Sequence, residues 1–272
     1  MTQILKSLVR RIAPVKYRSL LIGWFYKYKY YLLFFLYTGT EFECPFCGGH
    51  FRILLPGGLD LPVLKDNMVV GGGYRPNAIC PRCSSWDRDR LIYLYLNNNG
   101  DICHPNVKLL HIAPEKLLQN YLKTYPNIDY LSADLNSPRA MVKMDITNIK
   151  YGDNQFDIII CNHVLEHVPD DRQAMSELYR VLKPGGWAIL QVPISLSLKD
   201  TLEGSNVITP EEREKTLGQS DHLRLYARDY KDRLESAGFS TEVYSFVKEF
   251  GEAAARKYGL SKDENIYIGR KT

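Results

Sequence analysis

The chain has 272 residues, enough for one large domain or for a domain of about 170 residues with an N-terminal attachment. Hydrophobic residues make up 45% and charged residues 24%, an ordinary globular balance that excludes wholesale disorder. The net charge of +4 is mild, so its distribution says more than its size.

Residues 1–40 hold Lys6, Arg10, Arg11, Lys16, Arg18, Lys27 and Lys29 before the first acidic residue, Glu41, mixed with the aromatic series WFYKYKYYLLFFLY. The longest apolar run, YYLLFFLY, falls short of the ~20 residues a spanning helix needs. No A-x-A-like cleavage site follows, which argues against a signal peptide. The segment is therefore expected to form amphipathic helices lying on the cytoplasmic face of the inner membrane. Trp24 and the tyrosines would sit at headgroup level and the cations near anionic lipid. Packing of the same helices on the rest of the protein, or on a second subunit, is the plainer alternative.

Of six cysteines, four fall in two pairs, Cys44-Pro-Phe-Cys47-Gly and Cys80-Pro-Arg-Cys83-Ser. This is zinc-ribbon spacing: each knuckle aims two thiolates at one point, and two knuckles supply a closed tetrahedral Zn2+ site. Residues 41–85 form that piece, in which FRILL and LPVL are expected as short strands and GGGYRPN as a turn. Cys103 and Cys161 are unpaired by spacing and are expected to be small buried residues. Next, SSWDRDRLIYLYLNNNG places Leu91, Leu94 and Tyr95 at helical spacing before Gly100, giving a linking helix within 86–106. Arg88 and Arg90 alternate with Asp87 and Asp89, the pattern of a solvated, mutually paired surface, with contact to an anionic substrate as the alternative.

From residue 107 short apolar strands alternate with amphipathic helices: VKLLHI, EKLLQNYLKTY, YLSADL, FDIIICN, RQAMSELYRVL, WAILQVP, an insertion over 194–226, YARDYKDRLESAG, STEVYSFV and NIYIGR. Alternation of this kind favours a parallel sheet covered on both faces. The order of these pieces, and above all FDIIICNHVLEHVPDDRQAMSELYRVLKPGGWAILQVP, resembles the class I S-adenosylmethionine (SAM)-dependent methyltransferases of the type 11 kind. The whole chain also resembles bacterial methyltransferases of cell-surface glycan loci. The resemblance implies a Rossmann-like α/β fold with a seven-stranded, mostly parallel sheet over 107–272. The ribbon and the N-terminal amphipathic segment would precede it.

The same resemblance places LLHIAPE at the first strand and its turn, where relatives have an acidic residue followed by Gly-x-Gly. Here His111 stands in the acid's place and Ala113 and Glu115 in the glycines' places. SAM has no pyrophosphate to cradle, which weakens the need for glycine; Glu115 is expected to accept from the cofactor's ammonium group instead. Asp134, with Leu135 beside it, matches the acidic residue that takes the ribose hydroxyls. Asp145 matches the acceptor of the adenine amino group, and Ile146 would offer an apolar edge. Asn162 and His163 follow the fourth strand, where methyl-facing residues lie.

Methyl transfer needs alignment and, for a hydroxyl acceptor, a base. His163 is one candidate. His222, oriented by Asp221, is the rival, while Gln219, Arg224 and Tyr226 are read as binding a polyhydroxylated or phosphorylated ligand. His163, Glu166 and His167 form H-x-x-E-H, which shares one face if helical and resembles the E-x-x-E-H that binds a divalent metal in some quinone-pathway O-methyltransferases. The leading expectation is O-methylation of a saccharide or lipid-linked glycan precursor. RNA methylation with the ribbon as reader is disfavoured by the near-balanced charge of 107–272, and a non-catalytic scaffold is the third reading.

Overall fold

A computed structural model describes residues 36–272 apart from 100, 101, 103 and 204–208, together with residues 14, 16, 17, 21, 23, 24 and 28. Most of the basic aromatic segment, Cys103 and the middle of the insertion thus lie outside the described residues. Among those described, no helix is long and apolar enough to cross a membrane. Trp24 and Tyr28 are exposed and stack with ring centroids 5.4 Å apart.

Strands β1 (Thr38–Cys44) and β2 (Gly49–Phe51) form an antiparallel hairpin, which begins inside the segment read as 1–40. β3 (Leu55–Gly57) pairs with β5 (Arg75–Ile79), and the two-residue β4 (Val69–Val70) lies between them in sequence. LPVL is not a strand but the start of a helix, Pro62–Asp66. A proline in the first helical turn presets φ and lacks only an N–H that would be unpaired there anyway.

The remaining strands are β6 (Val107–Ile112), β7 (Ile128–Asp134), β8 (Val142–Lys143), β9 (Phe156–Asn162), β10 (Leu182–Gln191), β11 (Ile194–Ser195), β12 (Leu202–Glu203), β13 (Arg224–Leu225), β14 (Ser240–Tyr244) and β15 (Ile266–Arg270). Seven of them make one sheet in the order β14-β15-β10-β9-β6-β7-β8. The run from β10 to β8 is parallel, and β15 is antiparallel to both its neighbours. Successive residues point to opposite faces, so Leu110, Ile159, Cys161 and Leu190 enter one core while Leu109, Ile158, Ile160 and Ile189 enter the other. Helices Asp171–Val181 and Tyr230–Ser236 cover the first face; Asp87–Asn99, Lys116–Leu122 and Phe246–Lys257 cover the second. The last of these was not anticipated: STEVYSFV stops being a strand at Tyr244, because the Ser245 hydroxyl accepts from the Lys248 N–H and caps a helix. β6 and β9 are parallel neighbours whose onward connections run to opposite sides, toward β7 and β10, and the gap beyond their carboxyl ends is where open α/β sheets hold ligands.

The cysteine module is built into this domain. β4 pairs with β11, Val70 opposite Ile194 and Val69 opposite Ser195. Phe46 packs on Tyr93 and Tyr121. Arg90, expected at a solvated surface, is fully buried and forks onto three main-chain carbonyls, Tyr258 at 2.7 Å, Ser85 at 2.8 Å and Gly259 at 2.9 Å. Asp87 and Asp89 are buried as well; Asp87 pairs with Arg75, and Asp89 accepts from the Trp86 N–H. Glu264, before β15, is buried and accepts from the Gln191 amide at 2.8 Å.

Replacing Arg90 by Met keeps the volume but strands three buried carbonyls; thermal unfolding should show a loss of about 3–5 kcal/mol. Burial, aided by the nearby Asp87 charge, pushes the Glu264 carboxyl up from 4.5 to about 7. Its stabilising contribution is complete below about pH 4.5 and lost as pH rises through 7. Glu264→Gln should therefore flatten that limb of the stability–pH profile and gain about 3 kcal/mol over the parent chain above pH 7, checked by denaturant titration across pH.

Candidate active site

The turn after β6 shows how a loop without glycine is held. Ala113 adopts φ 47°, the left-handed region that the missing glycine would have favoured, and its N–H bonds to the Ala133 carbonyl at 2.8 Å. His111 is fully buried, not facing the cleft, and its ring bridges the Tyr130 hydroxyl at 3.0 Å and the Glu115 carboxylate at 2.8 Å. Glu115 thus brings a carboxylate to the strand end where His111 stands in the acidic residue's place. The second Glu115 oxygen accepts from the Asn162 amide of β9 at 3.2 Å, tying the two strands together. Burial alone would raise the Glu115 pKa, but the hydrogen bond and charge of His111 outweigh it and hold the carboxyl below its usual value.

At the end of β7, Asp134 Oδ1 accepts from the Asn136 and Ser137 N–H groups at 2.7 and 2.6 Å. Asp145 Oδ1 likewise accepts from the Thr147 N–H and hydroxyl at 2.9 and 2.8 Å, which lowers its pKa. In each case one oxygen shapes a turn, and the other has no partner among the described residues. Leu135 and Met141 lie nearby in sequence with 49% and 56% of their surface exposed, an apolar setting beside two carboxylates. Ile146 does not share it: its side chain is buried in the core, so it presents no edge to a ring.

His163 also takes a positive φ, 53°, with its N–H bonded to the Gln191 carbonyl at 2.7 Å. Backbone held in this region by a non-glycine residue is characteristic of ligand sites. H-x-x-E-H is therefore not a helical face. Only Leu165–His167 forms a short 3-10 turn, and Pro169 keeps Val168 extended, so no helix continues through the motif. His163 Nδ1 lies 3.5 Å from Glu166 Oε1, and burial, with the Arg88 charge, lowers the His163 pKa. His163, Glu166, His167 and Gln219 line a cleft whose other wall comes from the module: Gly58, Leu59, Gly71, Gly72, Trp86 and Arg88, with Pro193 between. A side chain at Gly71 would place Cβ 3.4 Å from the His163 ring, so the backbone itself closes that side. The GGG run was the available signal for this approach, and Arg88 was misread as solvated; its Nε is buried with no hydrogen-bond partner among the described residues, and its guanidinium lies over Trp86.

The insertion contributes differently from expectation. Arg224 is buried and donates to the carbonyls of Leu165, Val168 and Pro169 at 2.8, 2.6 and 3.0 Å, clamping the 3-10 turn instead of reaching a ligand. Tyr226 is fully buried with its hydroxyl on Asp171 at 2.7 Å. Asp221 does not orient His222; it faces His167 Nδ1, with its carboxylate at 3.3 Å and its carbonyl at 3.2 Å. His222 is buried, which lowers its pKa, and neither ring nitrogen has a hydrogen-bond partner among the described residues.

In the module, Gly48 and Ser84 follow the two knuckles with φ 62° and 65°, and each N–H returns to the first cysteine's carbonyl, Cys44 at 2.9 Å and Cys80 at 3.0 Å. The knuckles are therefore copies of one turn. The four sulfurs lie within 4.8 Å of one another, Cys44 to Cys83 at 3.6 Å and Cys47 to Cys80 at 3.8 Å. A tetrahedron of Zn–S bonds of about 2.3 Å has edges of about 3.8 Å, so the cluster fits Zn2+. Cys161 is buried in the sheet, as expected of a small core residue.

Residues 113–190 match the family model for a methyltransferase domain. The chain is 26% identical over 153 residues to a ubiquinone/menaquinone biosynthesis C-methyltransferase (UbiE) of Haemophilus ducreyi, covering 51% of this chain and 54% of that protein. It is 29% identical over 159 residues to the namesake of Pseudoalteromonas translucida, covering 53% and 57%. The chain thus spans little more than half the length of these curated relatives. The crystal structure of the [4+2]-cyclase SpnF aligns with a TM-score of 0.46 and 16% identity over 70% of this chain and 84% of that one. The fold is a Rossmann-like, seven-stranded, mostly parallel sheet, and the part of it over residues 113–190 matches a methyltransferase domain.

Proposed function

We propose that the chain is a SAM-dependent methyltransferase that methylates a hydroxyl of a saccharide or lipid-linked glycan precursor. The observation that carries the enzyme class is the coincidence of the methyltransferase-domain match with the strand ends bearing Glu115, Asp134 and Asn162. Asp134 and Asp145 each keep an oxygen free for the nucleoside, Leu135 and Met141 offer apolar surface, and Glu115 with Asn162 supports the amino-acid end. Bound SAM supplies an electrophilic methyl group. The chain's part is to hold the acceptor in the cleft against the module, exclude water there and take its proton. His163 Nε2, which has no hydrogen-bond partner among the described residues, would take the acceptor's hydroxyl proton as the methyl group is transferred.

The hydroxyl acceptor rests on the two histidines at the cleft and on the polar Gln219. A quinol ring is the second reading, favoured by the names of the relatives. Zn2+ at Cys44, Cys47, Cys80 and Cys83 holds the module in shape, and the module's use as a cleft wall gives it a role other than reading RNA. Residues 1–40 would bring the enzyme to the cytoplasmic membrane face, where a lipid-linked acceptor lies; the exposed Trp24 and Tyr28 are consistent with that.

Calorimetry of the full chain with SAM should show one-site binding, and Asp134→Ala should weaken it about tenfold or more; absence of binding to the parent chain would instead favour a non-catalytic scaffold. Metal analysis of the purified protein should find zinc, with one equivalent lost in Cys80→Ala, and that variant should unfold at lower temperature. Retention on RNA that falls steeply with salt would move the acceptor to nucleic acid.

A further inference from the structure

Among the described residues, buried polar atoms without a hydrogen-bond partner gather around Glu166: both of its carboxylate oxygens, of which Oε1 lies 3.5 Å from His163 Nδ1, both ring nitrogens of His222 and His163 Nε2. Leaving such an atom unpaired is costly, so a cluster of them implies a missing partner. Glu166 is 1% exposed and His222 3%; both Glu166 oxygens and one ring nitrogen of each neutral histidine offer a lone pair. One ligand atom from each of Glu166, His167 and His222 lies within 4.8 Å of the others, and His163 is not in that set. This differs from the sequence-based trio of His163, Glu166 and His167.

The scaffold around the three is tight. Leu223 N–H bonds to the Glu166 carbonyl at 2.9 Å, so the segment carrying His222 is stitched to the turn carrying Glu166. Arg224 clamps that turn from the other end through three carbonyls. Asp221 engages His167 Nδ1, which leaves Nε2 turned toward Glu166 at 4.0 Å. A carboxylate that fixes the far nitrogen of a histidine is the usual support of a metal-binding imidazole.

We propose that Glu166, His167 and His222 bind a divalent transition-metal ion that ligates the acceptor hydroxyl at the cleft. Two imidazoles and one carboxylate suit zinc, cobalt, manganese or ferrous iron, and not magnesium or calcium, which prefer all-oxygen sets. Three protein ligands leave a coordination position open, and Glu166 and His167 both border the cleft that His163 lines. An ion there lowers the pKa of a bound hydroxyl, so the acceptor class is an alcohol or phenol, methylated on oxygen. The inference deepens the methyltransferase reading and rests on it for that role.

The test is a titration of the full chain, its cysteine cluster already zinc-loaded, with Co2+ followed by visible absorption, and with Mn2+ as competitor. One equivalent of Co2+ should bind with a spectrum of nitrogen and oxygen ligands and no thiolate charge-transfer band. Glu166→Gln and His222→Gln, both near-isosteric, should weaken it at least a hundredfold, and Asp221→Asn about tenfold. Thermal melts confirm that each variant is folded, and SAM calorimetry is run on the same samples. Absence of a site beyond the cysteine cluster, or Co2+ binding unaltered by His222→Gln, overturns the proposal even where SAM binds. Loss of Co2+ in the folded variants supports the site whether or not SAM binds, and failure of SAM binding alone overturns the methyltransferase reading and not the metal site.

Discussion

Burial of the central strands on both faces is the constraint from which the rest follows. Leu109 to Ile112, Ile158 to Cys161 and Ala188 to Leu190 are all enclosed, so these strands cannot carry exposed polar side chains along their length. Only where the strands end can carboxylates and imidazoles meet solvent or ligand. Glu115, Asp134 and His163 stand at three such ends. The His111–Glu115–Asn162 chain holds the first and last of these ends together, doing with side chains what a glycine turn does with bare backbone.

The cysteine module belongs to the same site. Its β4 continues the hydrogen bonding of β11, its glycine turn lies against His163, and Trp86 and Arg88 complete the cleft wall. A small piece with little core of its own gains stability from that union, and the domain gains a wall that its own loops do not supply.

The strands and most helices were legible because apolar runs of period two and amphipathic repeats register burial directly. The two cysteine knuckles were legible because ligand spacing is local. The cleft was not. Arg224 and Tyr226 sit in a polar stretch, and nothing in that stretch says that their side chains turn inward to satisfy the carbonyls of a distant turn and the Asp171 carboxylate. Arg90 was misjudged for the same reason, since two of its three partners lie about 170 residues away. H-x-x-E-H has helical spacing, yet one left-handed residue and one proline suffice to unmake the helix. Bringing His222 up to Glu166 and His167 needed the fold of the insertion, which is tertiary information.

Arg90 joins the start of the module's exit helix to the loop after Lys257, so segments about 170 residues apart share one fork. Neither the module nor the sheet therefore has a seam along which it could part. Heat or denaturant should meet a single cooperative body, and excising the first hundred residues would leave an opened core and not a smaller enzyme.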